Sequence, residues 1–130
     1  MAQLLGQGSS GGPVYIRDPL LMWSGGEDFI DACEVARANI AALDAPALPS
    51  CVYNIASGRM TRFGEFIEAA QVLQPNRNIG HDELPTTGFA GFAHPRDLPF
   101  DVSLAKAELG FEAHHDVLES LERAQAWVSG

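Results

Sequence analysis

The sequence has few cysteines and contains no long apolar run. Only two of its 130 residues are cysteines, Cys33 and Cys51. They are too few for a disulfide scaffold and too far apart for a metal-binding knuckle, so we expect reduced thiols in a cytoplasmic protein. No stretch approaches the run of about 18 apolar residues that a membrane helix needs, and residues 1–5 are too short for the apolar core of a secretory signal. These absences predict a soluble intracellular protein.

Positive charge is also scarce. Eight Lys plus Arg residues stand against 17 Asp plus Glu, which gives a formal net charge of -9. Such a charge repels phosphate backbones and anionic lipid surfaces unless a local basic cluster overrides it, and the sequence has no such cluster. We therefore expect neither nucleic acid nor membranes as partners. The hydrophobic content of 46% suits one globular domain with a modest core.

The first twelve residues are rich in glycine and serine, which predicts a flexible lead-in or linker over residues 1–12 and a single domain over residues 13–130. Gly6, Gly8 and Gly11 match the three-glycine spacing of dinucleotide-binding loops. That loop requires a strand before it and a helix after it. Five preceding residues cannot form the strand, and residues 13–16 are extended in character. The pattern therefore predicts no cofactor-binding residue in this chain.

Two helices are predicted in the middle of the chain from apolar residues spaced three and four apart. The first begins at Ala32 and ends before Pro46. The second follows a cap at Thr61 and ends at Pro75. The side chains expected to face inward are Val35, Ala36, Ile40 and Leu43 on the first helix, and Phe63, Phe66, Ile67, Ala70 and Leu73 on the second.

Two more helices are predicted near the carboxyl end. One is capped by Ser103 and stops at Gly110, and the last begins at a capping box formed by Asp116 and Glu119. The side chains of the last helix that we expect to face inward are Leu118, Leu121 and Trp127.

Short strands are predicted over residues 20–23 and 28–30, on either side of a glycine turn. Residues 51–55 are partly β-branched and aromatic, which predicts a strand buried on both faces or nearly so. Residues 76–94 have little periodicity and are expected to form a long loop, a candidate lid. The predicted fold class is therefore α/β (mixed α+β), with about four helices and three or four short strands, too few for a complete Rossmann sheet.

Four segments, in order along the chain, carry motifs of one enzyme family. Residues 27–38 read Glu-Asp-Phe-Ile-Asp-Ala-Cys-Glu-Val-Ala-Arg-Ala, and residues 52–58 read Val-Tyr-Asn-Ile-Ala-Ser-Gly. Residues 94–99 read His-Pro-Arg-Asp-Leu-Pro and are followed by Asp-Val-Ser and Lys-Ala-Glu-Leu-Gly-Phe, before a last helix over residues 118–127. These segments resemble the extended short-chain dehydrogenase/reductases, the NAD-dependent epimerase/dehydratase family. Its corresponding patterns are Arg-Asp-Phe-Ile, Tyr-Asn-Ile-Gly, Arg-Pro-Gly-Asp, Asp-x-Ser-Lys-Ala and Leu-Gly-Trp.

The resemblance implies a carboxy-terminal, substrate-binding domain without the amino-terminal Rossmann half. In that family this domain closes over a sugar nucleotide, while the preceding sheet holds NAD or NADP. The family's catalytic base is a Tyr with a Lys four positions later. Here Tyr15 is followed four positions later by Pro19, and Tyr53 by Ser57. The chain alone is therefore expected to have no catalytic residue and no cofactor, and NAD or NADP is expected of a full-length enzyme.

The resemblance also implies three candidate substrate-binding residues, Asn54, His94 and Arg96. In the family, arginines before Asp-Phe and in Arg-Pro-Gly-Asp commonly meet the substrate's diphosphate, but Glu27 and His94 occupy those places here. A carboxylate facing a diphosphate weakens binding, so either the substrate is not a nucleotide sugar or the domain has left that function. Arg96 could supply a displaced charge or could be a surface arginine. Asn54 could bind phosphate or base, or could bond to neighbouring backbone.

Other reactive side chains favour simpler interpretations. Cys33 with His81 or His94 would suit a thiol hydrolase, but the acidic neighbours of Cys33 disfavour the thiolate, and helix packing is the favoured interpretation. The adjacent pair His114 and His115 lacks a third metal ligand nearby and predicts a solvated helix entry. No metal site is predicted.

Two functions of different class remain open. The chain is either the substrate-binding part of an epimerase/dehydratase-like enzyme, or a stand-alone binding or assembly module derived from that domain. In the first case its partners are a small-molecule substrate and the missing cofactor domain. In the second, the apolar surface that would pack on the cofactor domain, including residues 51–55, is expected to drive self-association as a homodimer.

Overall fold

The computed structural model describes residues 12–129, so the expected lead-in falls outside the described residues except for Gly12. This part contains two strands, β1 (Val14–Ile16) and β2 (Ile79–His81), which form a parallel sheet. It also contains four helices, α1 (Ala32–Asp44), α2 (Phe63–Leu73), α3 (Ser103–Leu109) and α4 (Val117–Ser129). Short 3₁₀ turns lie at Pro19–Leu21 and Phe89–Gly91. The predicted small mixed α/β fold with an incomplete sheet is confirmed.

The chain divides into two compact units, each built from separate stretches of sequence. The first unit comprises residues 12–27, 61–97 and 116–129, and the second comprises residues 28–60 and 98–115. The first therefore contains the sheet, α2 and α4, and the second contains α1 and α3. Across the described residues, no helix is long and apolar enough to cross a membrane.

The first unit is built around its two-stranded sheet and two helices. Val14, Tyr15 and Ile16 pair in parallel with residues 79–81, and α2 packs against α4. Small and aromatic side chains of α2 fill the core together with residues of β1, β2 and α4. The buried side chains of this unit include Ile16, Met22, Trp23, Phe63, Phe66, Ala69, Ala70, Ile79 and Leu121.

The second unit has a smaller core between α1 and α3. Ala38 and Ala105 are buried where the two helices meet, and Phe111 is buried with them. Side chains that pack against these three are Ile30, Tyr53, Ile55, Leu109 and Ala113. Helix α1 begins after Asp31, whose carboxylate accepts the Cys33 N–H at 2.6 Å. Helix α3 stops as predicted at Gly110, which adopts a left-handed conformation.

The predicted strands are the part of the fold that differs most. Residues 20–23 do not form a strand, because Pro19 opens a 3₁₀ turn that the Asp18 carboxylate caps. Residues 28–30 and 51–55 belong to neither described strand. Val52 is 75% exposed, so burial on both faces is wrong for this segment. The long loop predicted over residues 76–94 contains β2.

The predicted helix bounds hold, but several predicted inward faces and caps are wrong. On α1 the buried positions are Glu34 and Ala38, and all four side chains predicted to face inward are exposed: Val35, Ala36, Ile40 and Leu43. Trp127 is 85% exposed, whereas Leu121 on the same helix is fully buried as predicted. The physical reason is that neither unit is large enough to cover a second face of its helices.

The caps are also partly revised. Arg62 rather than Thr61 precedes α2, and Val102 rather than Ser103 precedes α3. The predicted capping box of α4 is confirmed, because the Asp116 carboxylate accepts the Glu119 N–H at 2.9 Å and the reciprocal bond measures 3.0 Å.

Candidate functional site

The first unit contains a carboxylate that is held at a fixed place. Glu27 is 8% exposed. Its backbone N–H donates to the Thr61 carbonyl at 2.9 Å, and its carbonyl accepts the Thr61 N–H at 2.8 Å. These two reciprocal bonds fix the position of the Glu27 backbone. A buried carboxylate without partners is strongly unfavourable, so its partners define this site.

Arg96 and the loop after Thr87 supply those partners. The Arg96 Nε donates to Glu27 Oε2 at 3.1 Å, and the Phe89 N–H lies 3.3 Å from Oε1. A backbone bridge between Gly26 and Arg96 brings the guanidinium to this place. Arg96, predicted as a displaced substrate-binding charge, is therefore paired with the glutamate that stands where the family has an arginine.

The loop that contacts Glu27 is tightly built. A side chain on Gly88 would lie 2.9 Å from the His94 carbonyl and 3.2 Å from Glu27 Oε1, so glycine is required there. The Gly88 N–H donates to the Phe92 carbonyl at 2.9 Å, which closes the loop. Between them Ala90 has a φ of 55°, a left-handed conformation that costs a non-glycine residue about 1–3 kcal/mol. Such strain clusters at functional sites.

Aromatic side chains support this site from the core. Trp23 makes edge-to-face contacts with Phe63, Phe66 and Phe89, with ring centroids 5.0–5.6 Å apart. Its Nε1–H donates to the Thr61 carbonyl at 3.2 Å, the same carbonyl that accepts the Glu27 N–H. The packing of Trp23 thus fixes the backbone pair that carries Glu27.

The three predicted substrate-binding residues fall in different units. His94 is exposed and lies in the first unit with Arg96 and Glu27. Asn54 lies in the second unit, and its Nδ2 donates to the Asp101 carbonyl at 2.9 Å. The structure therefore brings His94 and Arg96 into one neighbourhood and shows Asn54 bonded to nearby backbone.

Asp28 is the principal polar centre of the second unit, and the sequence analysis did not select it. Its carboxylate accepts the Ser57 N–H at 2.8 Å and the Ser57 hydroxyl at 2.6 Å. It also accepts the Gly58 N–H at 3.1 Å and the Phe100 N–H at 3.0 Å. The signal available in the sequence was the place of Asp28 in the Asp-Phe motif. The arrangement organises the turn that follows residues 51–55.

Glu34 is a second polar centre of this unit that the sequence did not reveal. It is 1% exposed, accepts the N–H groups of His114 and His115 at 3.2 and 3.4 Å, and forms an ion pair with Arg37. Burial raises the pKa of Glu34, but these N–H groups and the Arg37 charge together hold it below its ordinary value.

Both histidines were predicted to be solvated at the entry of the last helix. His114 is exposed as predicted, but His115 is half-buried. The His115 Nδ1 lies 2.7 Å from Glu34 Oε1, within ion-pair distance but poorly aligned for a hydrogen bond. The burial of His115 follows from Glu34, because the carboxylate holds the backbone of this segment against α1.

A hydrogen-bonded cluster also fixes the start of the extended segment over residues 51–55. The Tyr53 hydroxyl donates to Glu108 Oε2 at 2.7 Å, and the Ser50 hydroxyl donates to Oε1 at 3.0 Å. Burial and the Glu108 carboxylate raise the pKa of Tyr53. The hydrogen bond from the Tyr53 hydroxyl in turn lowers the pKa of Glu108. A phenol whose pKa is raised is rarely ionised near neutral pH and is therefore rarely available as a base. This arrangement suits attachment of the segment better than proton transfer.

The cysteines and histidines complete the inventory of reactive groups. Cys33 and Cys51 are free and exposed. Cys33 belongs to the second unit, whereas His81 and His94 belong to the first. Over residues 12–129, no three His, Cys, Asp or Glu side chains are grouped so that they could hold a metal ion.

Comparison with known proteins identifies the fold through solved structures only. No protein-family model matches the chain, and no curated protein matches it. The UDP-glucose 4-epimerase from Bifidobacterium longum, in complex with NAD+ and UDP, matches 98% of this chain with a TM-score of 0.72 and 20% identity. The UDP-glucuronic acid 4-epimerase from Bacillus cereus, in complex with UDP-glucuronic acid and NAD, matches 90% with a TM-score of 0.67 and 18% identity.

A third solved structure has a different kind of substrate in its name. The GalE-like L-threonine dehydrogenase from Cupriavidus necator matches 88% of this chain with a TM-score of 0.68 and 21% identity. The chain spans 37% of the first epimerase, 35% of the second and 41% of the dehydrogenase. It therefore has the fold of about two fifths of each of these three enzymes.

Proposed function

We propose that this chain is the carboxy-terminal, substrate-binding part of an NAD(P)-dependent epimerase/dehydratase-like enzyme. It would act on a sugar nucleotide or a related carbonyl or hydroxyl compound, and it is not catalytic alone. The observation that carries the proposal is an apolar surface of the second unit that residues 12–129 leave exposed. The partner that fits this surface is the cofactor-binding half of the same enzyme.

The first part of that surface is the exposed apolar face of α1, formed by Val35, Ile40 and Leu43. These positions fall within one side of the helix, and Leu43 is 83% exposed. The opposite side of α1 packs on α3 through Ala38. Helix α1 thus packs on one side and exposes apolar side chains on another, which suits a helix that lies between two layers of structure.

The second part is the outer edge of residues 51–55. Tyr53 and Ile55 pack on the core of the second unit, whereas Val52 and Asn54 are exposed. This alternation of packed and exposed side chains is the pattern of a β-strand, yet neither strand in the described range pairs with the segment. An unpaired strand edge is a template for another strand, and a neighbouring sheet would complete it.

The solved structures support the same partner. Each contains about three fifths or more of its chain beyond the part that this chain matches. The structures of both epimerases contain NAD. We therefore assign NAD or NADP to the full-length enzyme, with no cofactor-binding residue in this chain. Free thiols and the need for NAD(P) agree with a cytoplasmic location.

The substrate would meet the site of the first unit. Glu27, Arg96 and His94 lie beside a loop whose strained Ala90 marks a position of functional constraint. With no Tyr-Lys pair in the sequence, the chain's own contribution is to bind and orient a substrate, and the hydride transfer belongs to the cofactor half.

The test is the cofactor content of the native polypeptide, isolated from its source cells with an antibody against this chain. The protein is denatured, and the released NAD(P) is measured by enzymatic cycling. We expect about one NAD(P) per polypeptide. The recombinant 130-residue chain, treated in the same way, is the matched control and should release none. A native polypeptide that neither carries NAD(P) nor binds it when it is added contradicts the proposal.

The second candidate function is a stand-alone binding or assembly module. The same uncovered α1 face favours it, because a second copy of the chain could cover the apolar residues in a homodimer. It predicts a native polypeptide of 13.9 kDa that sediments as a dimer and carries no NAD(P). Sedimentation equilibrium of the native protein distinguishes this module from the enzyme fragment.

A further inference from the structure

The Glu27 carboxylate is part of the framework of the first unit and cannot turn away from a ligand. Its backbone N–H and carbonyl both bond to Thr61, and its Oε1 faces the Phe89 N–H and the surface of Gly88. Its Oε2 faces the Arg96 guanidinium. Any ligand that binds beside this loop therefore meets a carboxylate that is already paired with Arg96.

The positive charge at the site is balanced within the chain. The ion pair of Arg96 with Glu27 has no net charge, so it attracts a multiply charged anion much less than an arginine without a carboxylate partner would. Because its Nε already donates to Glu27, Arg96 also has one donor fewer for the bidentate binding of phosphate. The formal net charge of -9 adds a field of the same sign.

The same ion pair suits a different chemistry. It places donors and acceptors side by side, which matches hydroxyl groups or a zwitterion better than a diphosphate. We propose that the Glu27–Arg96 pair excludes diphosphates and makes Glu27 the specificity-determining residue. Of the substrates named in the proposed function, this excludes sugar nucleotides and leaves a small hydroxyl compound without phosphate groups, uncharged or zwitterionic. This inference rests on the proposed function, because it takes the first unit as the substrate-binding part.

The test compares UDP with uridine as probes of the full chain, by NMR titration of the amides of Gly88, Phe89 and Arg96. The wild-type chain should bind UDP no more tightly than uridine. Glu27→Gln keeps the shape and an acceptor but removes the charge, and should raise the affinity for UDP relative to uridine about tenfold. Glu83→Gln removes the same charge from an exposed position of the first unit and should leave the ratio unchanged.

Two results overturn the inference. One is a wild-type chain that binds UDP tenfold more tightly than uridine at these amides, which needs no variant. The other is a folded Glu27→Gln chain, verified by amide dispersion, that gains no preference for UDP over the Glu83→Gln control. Neither result depends on the NAD(P) content of the native polypeptide. A native polypeptide without NAD(P) would overturn the proposed function and leave the charge selectivity of the site standing.

Discussion

Replacing Asp28 with asparagine tests whether a single carboxylate organises the second unit. In the wild-type chain, Oδ1 accepts two bonds from Ser57, and Oδ2 accepts the N–H groups of Gly58 and Phe100. Asparagine has the same shape, but its Nδ2 is a donor and would face two N–H donors. The variant can keep at most two of the four bonds, because turning the amide over only moves its donor to the other pair.

The magnitude follows from those two lost bonds. A hydrogen bond to a charged group contributes about 1.5–3 kcal/mol, but the Phe100 amide lies at an exposed residue and water can replace part of the loss. We therefore expect Asp28→Asn to lower the free energy of unfolding by about 2–4 kcal/mol. That is a large part of the stability of a small domain.

The assay is urea unfolding followed by far-ultraviolet circular dichroism, with the slope held in common between variants. Asp44→Asn is the matched control, because Asp44 is exposed at the carboxyl end of α1. A negative charge is unfavourable there, so its removal should change stability by less than about 0.5 kcal/mol. Equal effects of the two variants would refute the assignment of Asp28 as the centre of this unit.

Other side chains give three further expected outcomes. Leu121→Ala removes fully buried groups of α4 and should lower the free energy of unfolding in urea by about 2–5 kcal/mol. Glu34→Gln should make the urea midpoint fall less between pH 7 and pH 3 than it falls in the wild-type chain. The pKa of Glu34 in the folded chain lies below its ordinary value of 4.5, so its stabilising contribution is complete at neutral pH and is lost as the pH falls through the folded value. Leu43→Lys places a charge on the exposed apolar face of α1 and should weaken self-association about tenfold in sedimentation without reducing folding stability.

Val72, exposed on α2 in the first unit, supplies matched controls for two of these tests. Val72→Ala should change stability by less than about 0.5 kcal/mol, and a Leu121→Ala loss no larger than this would contradict the buried position of Leu121. Val72→Lys should leave self-association unchanged, and equal weakening by both lysine variants would contradict the α1 face as the interface. An unchanged acid profile in Glu34→Gln would contradict the buried, hydrogen-bonded carboxylate.

The helices were predictable because each is marked by local signals. Apolar spacing and flanking prolines gave the limits of α1 and α2, and the Asp116–Glu119 capping box gave the start of α4. What local spacing could not give is which apolar face is buried in this chain. The stripe ending at Leu43 is apolar as predicted, but nothing in the second unit covers it.

Strands were harder to predict, because a strand forms only where another strand, often distant in sequence, pairs with it. Residues 51–55 have the alternation of a strand, but they lack a neighbour to pair with in the described range and so form none. Conversely, the three residues of β2 were hidden in a loop because their pairing with β1 lies some sixty residues away in sequence.

The site was predictable only in part for the same reason. The motif around residues 94–99 identified Arg96 as a candidate, but its partner Glu27 lies 69 residues earlier. The contacts of Glu34 with His114 and His115 span 80 and 81 residues. A motif can select a charged residue, but the pairing of charges is set by tertiary structure.

The central claim is that this chain is one part of a larger NAD(P)-dependent enzyme, and the mass of the native polypeptide tests it most directly. An antibody against the chain recovers that polypeptide from its source cells, and mass spectrometry gives its intact mass. Scaling 13.9 kDa by the 37% coverage of the Bifidobacterium epimerase predicts about 38 kDa. A native polypeptide of 13.9 kDa would contradict the account and favour the self-associating module.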